Sequence, residues 1–268
     1  MKLPALDRRA LYVLLFLAVA LPLLFPIGLV GSVSKSTRQF HRLIESLQPG
    51  DVILISFDCE AASWAEIGPV ARAVILHAMK RDLRIVGTSF LSEGTALGYR
   101  LLSELATEHG KSYGEDWAYL GFRPQYVAAM LGLGESIIRE YPKDYLEQPA
   151  ESLPIFAGVQ SYRQIKLVIS IADDSMPQYW VEYAGGRHGV PIAAGLSAVM
   201  LTTFTPYLDS HQLVGLVSGL KGAAEYEQLL GVTGAGTRGM DAQSSAHLAI
   251  IVLVVVGNAI YFRGRRKS

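Results

Sequence analysis

Two long uncharged runs, one near each end of the chain, constrain this sequence more than any other feature. Ala10 to Val30 reads ALYVLLFLAVALPLLFPIGLV, 21 residues without a charge. As a helix rising about 1.5 Å per residue it is roughly 30 Å long, enough to cross a bilayer. Ala246 to Phe262 (AHLAIIVLVVVGNAIYF) has 17 residues, at the short end of the spanning range. Pro22 and Pro26 are tolerated better in a membrane helix than in a soluble one, and Tyr261 and Phe262 supply an interfacial aromatic edge. Lys2, Arg8 and Arg9 precede the first run, and Arg263, Arg265, Arg266 and Lys267 follow the second. The positive-inside rule then places both termini in the cytoplasm. The expected order is a tail at 1–9, a membrane helix at 10–30, an extracytoplasmic domain at 32–230, a Gly-, Ser- and Thr-rich flexible tether at 231–245, a second membrane helix at 246–262 and a basic tail at 263–268. Such a chain is a two-pass cell-membrane protein. Val30-Gly31-Ser32 also forms a passable signal-peptidase site, but 21 apolar residues favour an uncleaved anchor, and either version exports the domain.

Charge narrows the partners. Lys+Arg and Asp+Glu both number 24, and the mean hydropathy is +0.28, so the chain is neither a disordered polyelectrolyte nor a basic nucleic-acid binder. With the seven terminal cations and Asp7 set aside, 17 basic and 23 acidic residues remain between the runs. The expected partners are the lipid bilayer and either other membrane subunits or a second copy, with no nucleic acid. A third uncharged run, Val190 to Leu208, would put the two basic ends on opposite sides as a span, and its Thr, Gly and Pro content reads instead as a buried strand and turn. The one cysteine, Cys59, allows no internal disulfide and reads as a small buried residue.

Between the runs, apolar β-branched stretches alternate with helical spacing. Strands are expected at 52–57, 83–87, 117–120, 166–171 and 191–194, and helices at 64–81, 95–108, 127–138, 178–184 and 211–230, with an amphipathic stretch at 36–47. Alternating βαβ units with uninterrupted apolar strands predict a Rossmann-like α/β fold, a three-layer sandwich around a mostly parallel sheet. Residues 143–158 read as an irregular connection forming a flap over one sheet edge.

In such a sheet, ligands bind beyond the carboxyl ends of the strands, where the strand order reverses. Asp58, Glu60, Asp173 and Asp174 are carboxylates at such ends, the chemistry that a divalent cation such as Mg²⁺ or Ca²⁺ requires. The alternative role for each is to cap the following helix. Ser89 and Ser175 are possible nucleophiles at strand ends, though no Gly-x-Ser-x-Gly elbow surrounds them, and Arg123, after the third strand, and Ser175 are candidate ligand contacts. The six histidines are scattered, with no His pair at metal-ligand spacing, and His77 reads as a satisfied helix residue. Arg187 and His188 fall at the amino end of a strand and read as structural. Neither a dinucleotide fingerprint nor a phosphate-binding Gly-Lys-Ser/Thr loop is present in the sequence. Gly215, Gly219, Gly222 and Ala223 are small residues in a predicted helix, which implies close approach of another backbone.

The order of strand, helix, strand, serine-containing turn and helix at 52–108 resembles the membrane-anchored serine peptidases of the ClpP and signal-peptide-peptidase group. Their glycine pair after the first strand is replaced here by Asp58-Cys59-Glu60-Ala61, which removes the implied oxyanion loop. Ile55-Ser56-Phe57-Asp58 after Pro49-Gly50-Asp51, and the stretch Leu213 to Tyr226, resemble bacterial membrane proteins with two spans around an α/β domain, a likeness that carries no catalytic motif. Two functions follow: a binding or scaffolding module of a membrane complex, or an extracytoplasmic hydrolase or metal-dependent enzyme built on the strand-end carboxylates.

Overall fold

The computed structural model describes residues 8–28 and 31–265. Lys2, Asp7, Val30, Arg266 and Lys267, with the outer parts of the two tails, lie outside the described residues. Six strands, β1 (Val52–Asp58), β2 (Arg84–Ser89), β3 (Trp117–Phe122), β4 (Ile165–Ala172), β5 (Ile192–Leu196) and β6 (Gly215–Ser218), form one sheet in the order β3-β2-β1-β4-β5-β6. Every neighbouring pair is parallel. The order reverses between β1 and β4, so the switch point lies where those two strands end.

The helices are α1 (Arg8–Leu24), α2 (Lys35–Ser46), α3 (Trp64–Lys80), α4 (Ser92–Glu108), α5 (Tyr126–Glu135), the turns α6 (Ile137–Glu140), α7 (Met176–Tyr179) and α8 (Gly186–His188), then α9 (Leu201–Asp209), α10 (Gly219–Leu229) and α11 (Ala235–Arg265). Strand residues alternate between two cores, as the pleat requires. Ile53, Ile55 and Phe57 meet Phe40, Ile75, Leu102 and Tyr226 from α2, α3, α4 and α10. Val52 and Leu54 face the other layer, with Met130, Ile137, Trp180 and Phe204. The three-layer α/β architecture with a parallel sheet is as the apolar strands predict.

Four expectations are corrected. Residues 211–230 are not one helix: Gly215–Ser218 form the sixth strand, paired with β5, and α10 starts at Gly219 with φ +60. A Cβ there would lie 2.9 Å from the Ala198 Cβ, so glycine permits both the left-handed backbone and the contact. Residues 143–158 are no flap; Ala150, Leu153, Ile155 and Phe156 are buried in the core. The expected tether is helix from Ala235 onward. Finally, of the two expected spans only α11, at 31 residues, is long and apolar enough to cross a membrane among the described residues, whereas α1 has 17 residues. Its apolar run stops being helical after Leu24, because Pro26 has no N–H to continue the ladder and Gly28 turns to φ +74. The third run holds β5 and α9 and spans nothing.

The route of α11 positions everything else. Gly236 lies against Ala223 and Ala224, and Gly239 against Leu220, so α11 runs antiparallel to α10. Since α10 starts at the carboxyl end of β6, α11 climbs back to that sheet edge and projects beyond it. There the buried Asp241 carboxylate accepts the Ile27 and Gly28 N–H groups at 2.7 and 2.8 Å, which pins the end of α1 beside α11. α1 packs along α11, so the two run antiparallel with Arg8 and Arg9 at the end where Arg263 lies. Tyr12, Phe16, Leu248, Ile251 and Val255 are exposed on this pair.

Candidate functional site

The carboxyl ends of β1 and β4 gather the strand-end carboxylates, but not as equals. Asp58 is fully buried and accepts four hydrogen bonds. Its Oδ1 takes the Ser56 hydroxyl at 2.6 Å and the Phe90 N–H at 3.0 Å. Its Oδ2 takes the Ser170 hydroxyl and the Trp180 indole N–H, each at 3.0 Å. These donors come from β1, the end of β2, β4 and the π-helical turn Trp180–Gly185. That turn departs from α-helical winding where Trp180 must aim its indole at the switch point. Burial lifts the carboxyl to about 6, and the four donors oppose the rise by favouring the ionised form. A carboxylate with both oxygens doubly engaged has little capacity left for a ligand, and its geometry ties four elements together.

Glu60, Glu93, Asp173 and Asp174 form the outer rim. Asp173 accepts the Glu60 N–H at 3.1 Å and the Ser63 hydroxyl; Glu93 accepts the Ala61 N–H at 2.7 Å; Asp174 accepts the Met176 N–H at 2.8 Å. The first β–α turn is where a doubly wound sheet would receive a phosphate. Here the chain's own carboxylates already fill its N–H groups. Cys59 sits beneath the rim, buried, and burial with the nearby Asp173, Asp58, Asp174 and Glu93 charges pushes its thiol up to about 12. It is therefore a poor nucleophile at neutral pH.

The remaining candidates lie apart or are engaged. Ser89 is buried, and its hydroxyl faces the Phe57 carbonyl at 2.7 Å and the Leu91 carbonyl at 2.5 Å, both acceptors, so its proton is held by backbone. Arg123 pairs with Glu140 at 2.8 Å and lies over the Tyr141 ring. Ser175 is exposed just ahead of α7.

A different constellation lies at the amino edge of the sheet, where α2, α3 and α10 meet. His77 of α3 is buried, with Nε2 2.8 Å from the Glu45 carboxylate and Nδ1 2.8 Å from the Tyr226 hydroxyl. The His41 ring stacks on His77 with centroids 4.5 Å apart. Among the described residues, His41, Glu45 and His77 are the three ligand-type side chains that converge. A search for His pairs alone misses them; the signal is the i, i+4 pair His41 and Glu45 on one helix face. Comparison of the chain with protein-family models, with curated proteins and with solved structures finds no match.

Proposed function

We propose that this chain is a membrane-anchored, extracytoplasmic α/β binding or scaffolding module that works as a component of a membrane complex. The observation that carries the reading is the uninterrupted helix from the domain into the apolar segment. Glu227, buried on α10, accepts the N–H groups of Gly234, Gly236 and Thr237 at 2.8–3.0 Å and the Thr237 hydroxyl at 2.7 Å. It thereby neutralises the positive end of α11 and fixes it on the domain. Asp241 then ties α1 to the same helix. A hydrophobic two-helix surface of this extent is rare on soluble monomers. In this reading α11 is the membrane span, with its Arg263 end in the cytoplasm, and α1 packs along it. Of the strand-end side chains proposed for catalysis, Asp58, Ser89, Asp173 and Asp174 are committed to hydrogen bonds within the protein, which favours binding over chemistry.

Topology and assembly are each checked directly. Because Cys59 is buried with its thiol held protonated, the native chain hardly competes for a thiol label. Glu115→Cys, at an exposed turn, is expected to react with a membrane-impermeant maleimide in intact cells. Labelling only after lysis places the domain in the cytoplasm and overturns the topology. Mild-detergent extraction followed by size-exclusion chromatography and mass spectrometry is expected to recover the chain with stoichiometric membrane subunits or as a homo-oligomer. A monomer without partners removes the complex-member reading.

A further inference from the structure

We propose that His41, Glu45 and His77 form a zinc site at the amino edge of the sheet, with Tyr226 as the group that orients His77. This inference is independent of the membrane reading. Two imidazoles and one carboxylate are a donor set that binds Zn²⁺ with a fourth position left for water. Their ligand atoms lie within 4.8 Å of one another. A tetrahedral ion with bonds of about 2.0–2.1 Å holds its donors about 3.4 Å apart, so the set closes by small side-chain rotations. The parts that must move lie on the open side: Glu45 is exposed, with the Arg81 Nε 3.8 Å from its other oxygen, His41 is half-buried, and both project from one face of α2. The His41 ring leaves its stack on His77 and turns a nitrogen toward the ion.

His77 is the fixed ligand. Its Nδ1 lies 2.8 Å from the Tyr226 hydroxyl, which accepts the Nδ1 proton and leaves the Nε2 lone pair directed at the Glu45 side, where a cation belongs. Without metal the same groups are satisfied differently, with Tyr226 donating to Nδ1 and Nε2 donating to Glu45. Metal binding therefore exchanges one proton arrangement for another without repacking the core. Zinc here staples α2, the helix that follows α1, to α3 in the domain.

The test uses the full chain in detergent, stripped with EDTA, dialysed and titrated with ZnCl₂ by calorimetry. The expected result is one Zn²⁺ per chain and a higher Tm with zinc. His41→Gln and Glu45→Gln, both on the open side, are each expected to weaken binding at least tenfold, while His109→Gln does not change it. Tyr226→Phe, which keeps the packed ring, is expected to weaken binding about tenfold, as outer-shell partners do. Co²⁺ in the stripped protein is expected to give the intense visible bands of a four-coordinate site. Absence of zinc binding, or zinc binding that survives both His41→Gln and Glu45→Gln, overturns the site; the Tm of each variant in EDTA shows that it is folded.

Discussion

Asp58 illustrates how one side chain acquires its role from distant parts of the chain. The strand-end pattern marks Asp58 as a carboxylate at the sheet edge, and the sheet puts it there. The pattern carries no trace of Ser170 and Trp180, 112 and 122 residues further on, which convert the position from an open ligand to a saturated tie. The folded carboxyl titrates at about 6 and an unperturbed Asp at 3.8. Between those values the native state holds more protons than the unfolded one, so this residue's contribution to stability falls as pH rises through that window and is level above it. Asp58→Asn is expected to flatten that part of the stability profile. It is also expected to cost about 1–3 kcal/mol at pH 7, since an amide cannot accept from donors on both sides. Chemical denaturation followed by tryptophan fluorescence at a series of pH values checks both effects. The zinc cluster escapes a residue-by-residue reading for the same reason: His77 meets α2 only once α2 has packed on α3.

At the scale of elements, most strands and helices are visible in the sequence because buried parallel strands are continuous apolar runs and their helices keep a 3.6 period. The failures occur where a local signal is ambiguous. His211 to Leu230 mixes β-branched residues with small ones and reads as one helix, but Gly215–Ser218 form a strand and Gly219 turns the chain into α10 rather than lining a continuous helix face. The glycines of 231–245 read as flexibility, whereas Gly236 and Gly239 allow α11 to pack on α10: a Cβ on Gly236 would meet the Ala223 Cβ and the Ala224 nitrogen at 2.7 Å. Gly236→Ala is therefore expected to part the two helices. Glu227→Ala is expected to fray the first turn of α11 and to cost about 1–3 kcal/mol, the penalty for leaving its buried N–H donors unpaired. Hydrogen exchange over 235–241 reads both variants; protection equal to the native chain's contradicts the clamp.

For the molecule as a whole, the sequence carries the long apolar C-terminal helix and the α/β class, but neither the strand order nor the edge of the sheet from which that helix leaves. Both depend on packing between residues remote in sequence. In the membrane-anchored reading, α11 leaves from the carboxyl edge, so that edge faces the lipid. The turn after β5 follows the same course, with Val199 77% exposed and Leu201 beside it, apolar side chains placed where an interface would receive them. A polarity-sensitive fluorophore on Val199→Cys is expected to shift to the blue when the chain is moved from detergent into liposomes, and a probe on Glu115→Cys is not. Equal emission at both positions argues against this orientation.

The helix that carries the chain out of the domain into its apolar segment has no joint in it. Glu227 and the Gly236 contact hold its base, Asp241 locks its neighbour, and no proline or break interrupts it from Ala235 to Arg265. In the membrane-complex reading, a rotation or piston-like displacement of that helix by another subunit would not be absorbed in a linker. It would arrive at α10, and through α10 at β6 and the sheet, as a rigid lever delivers a stroke.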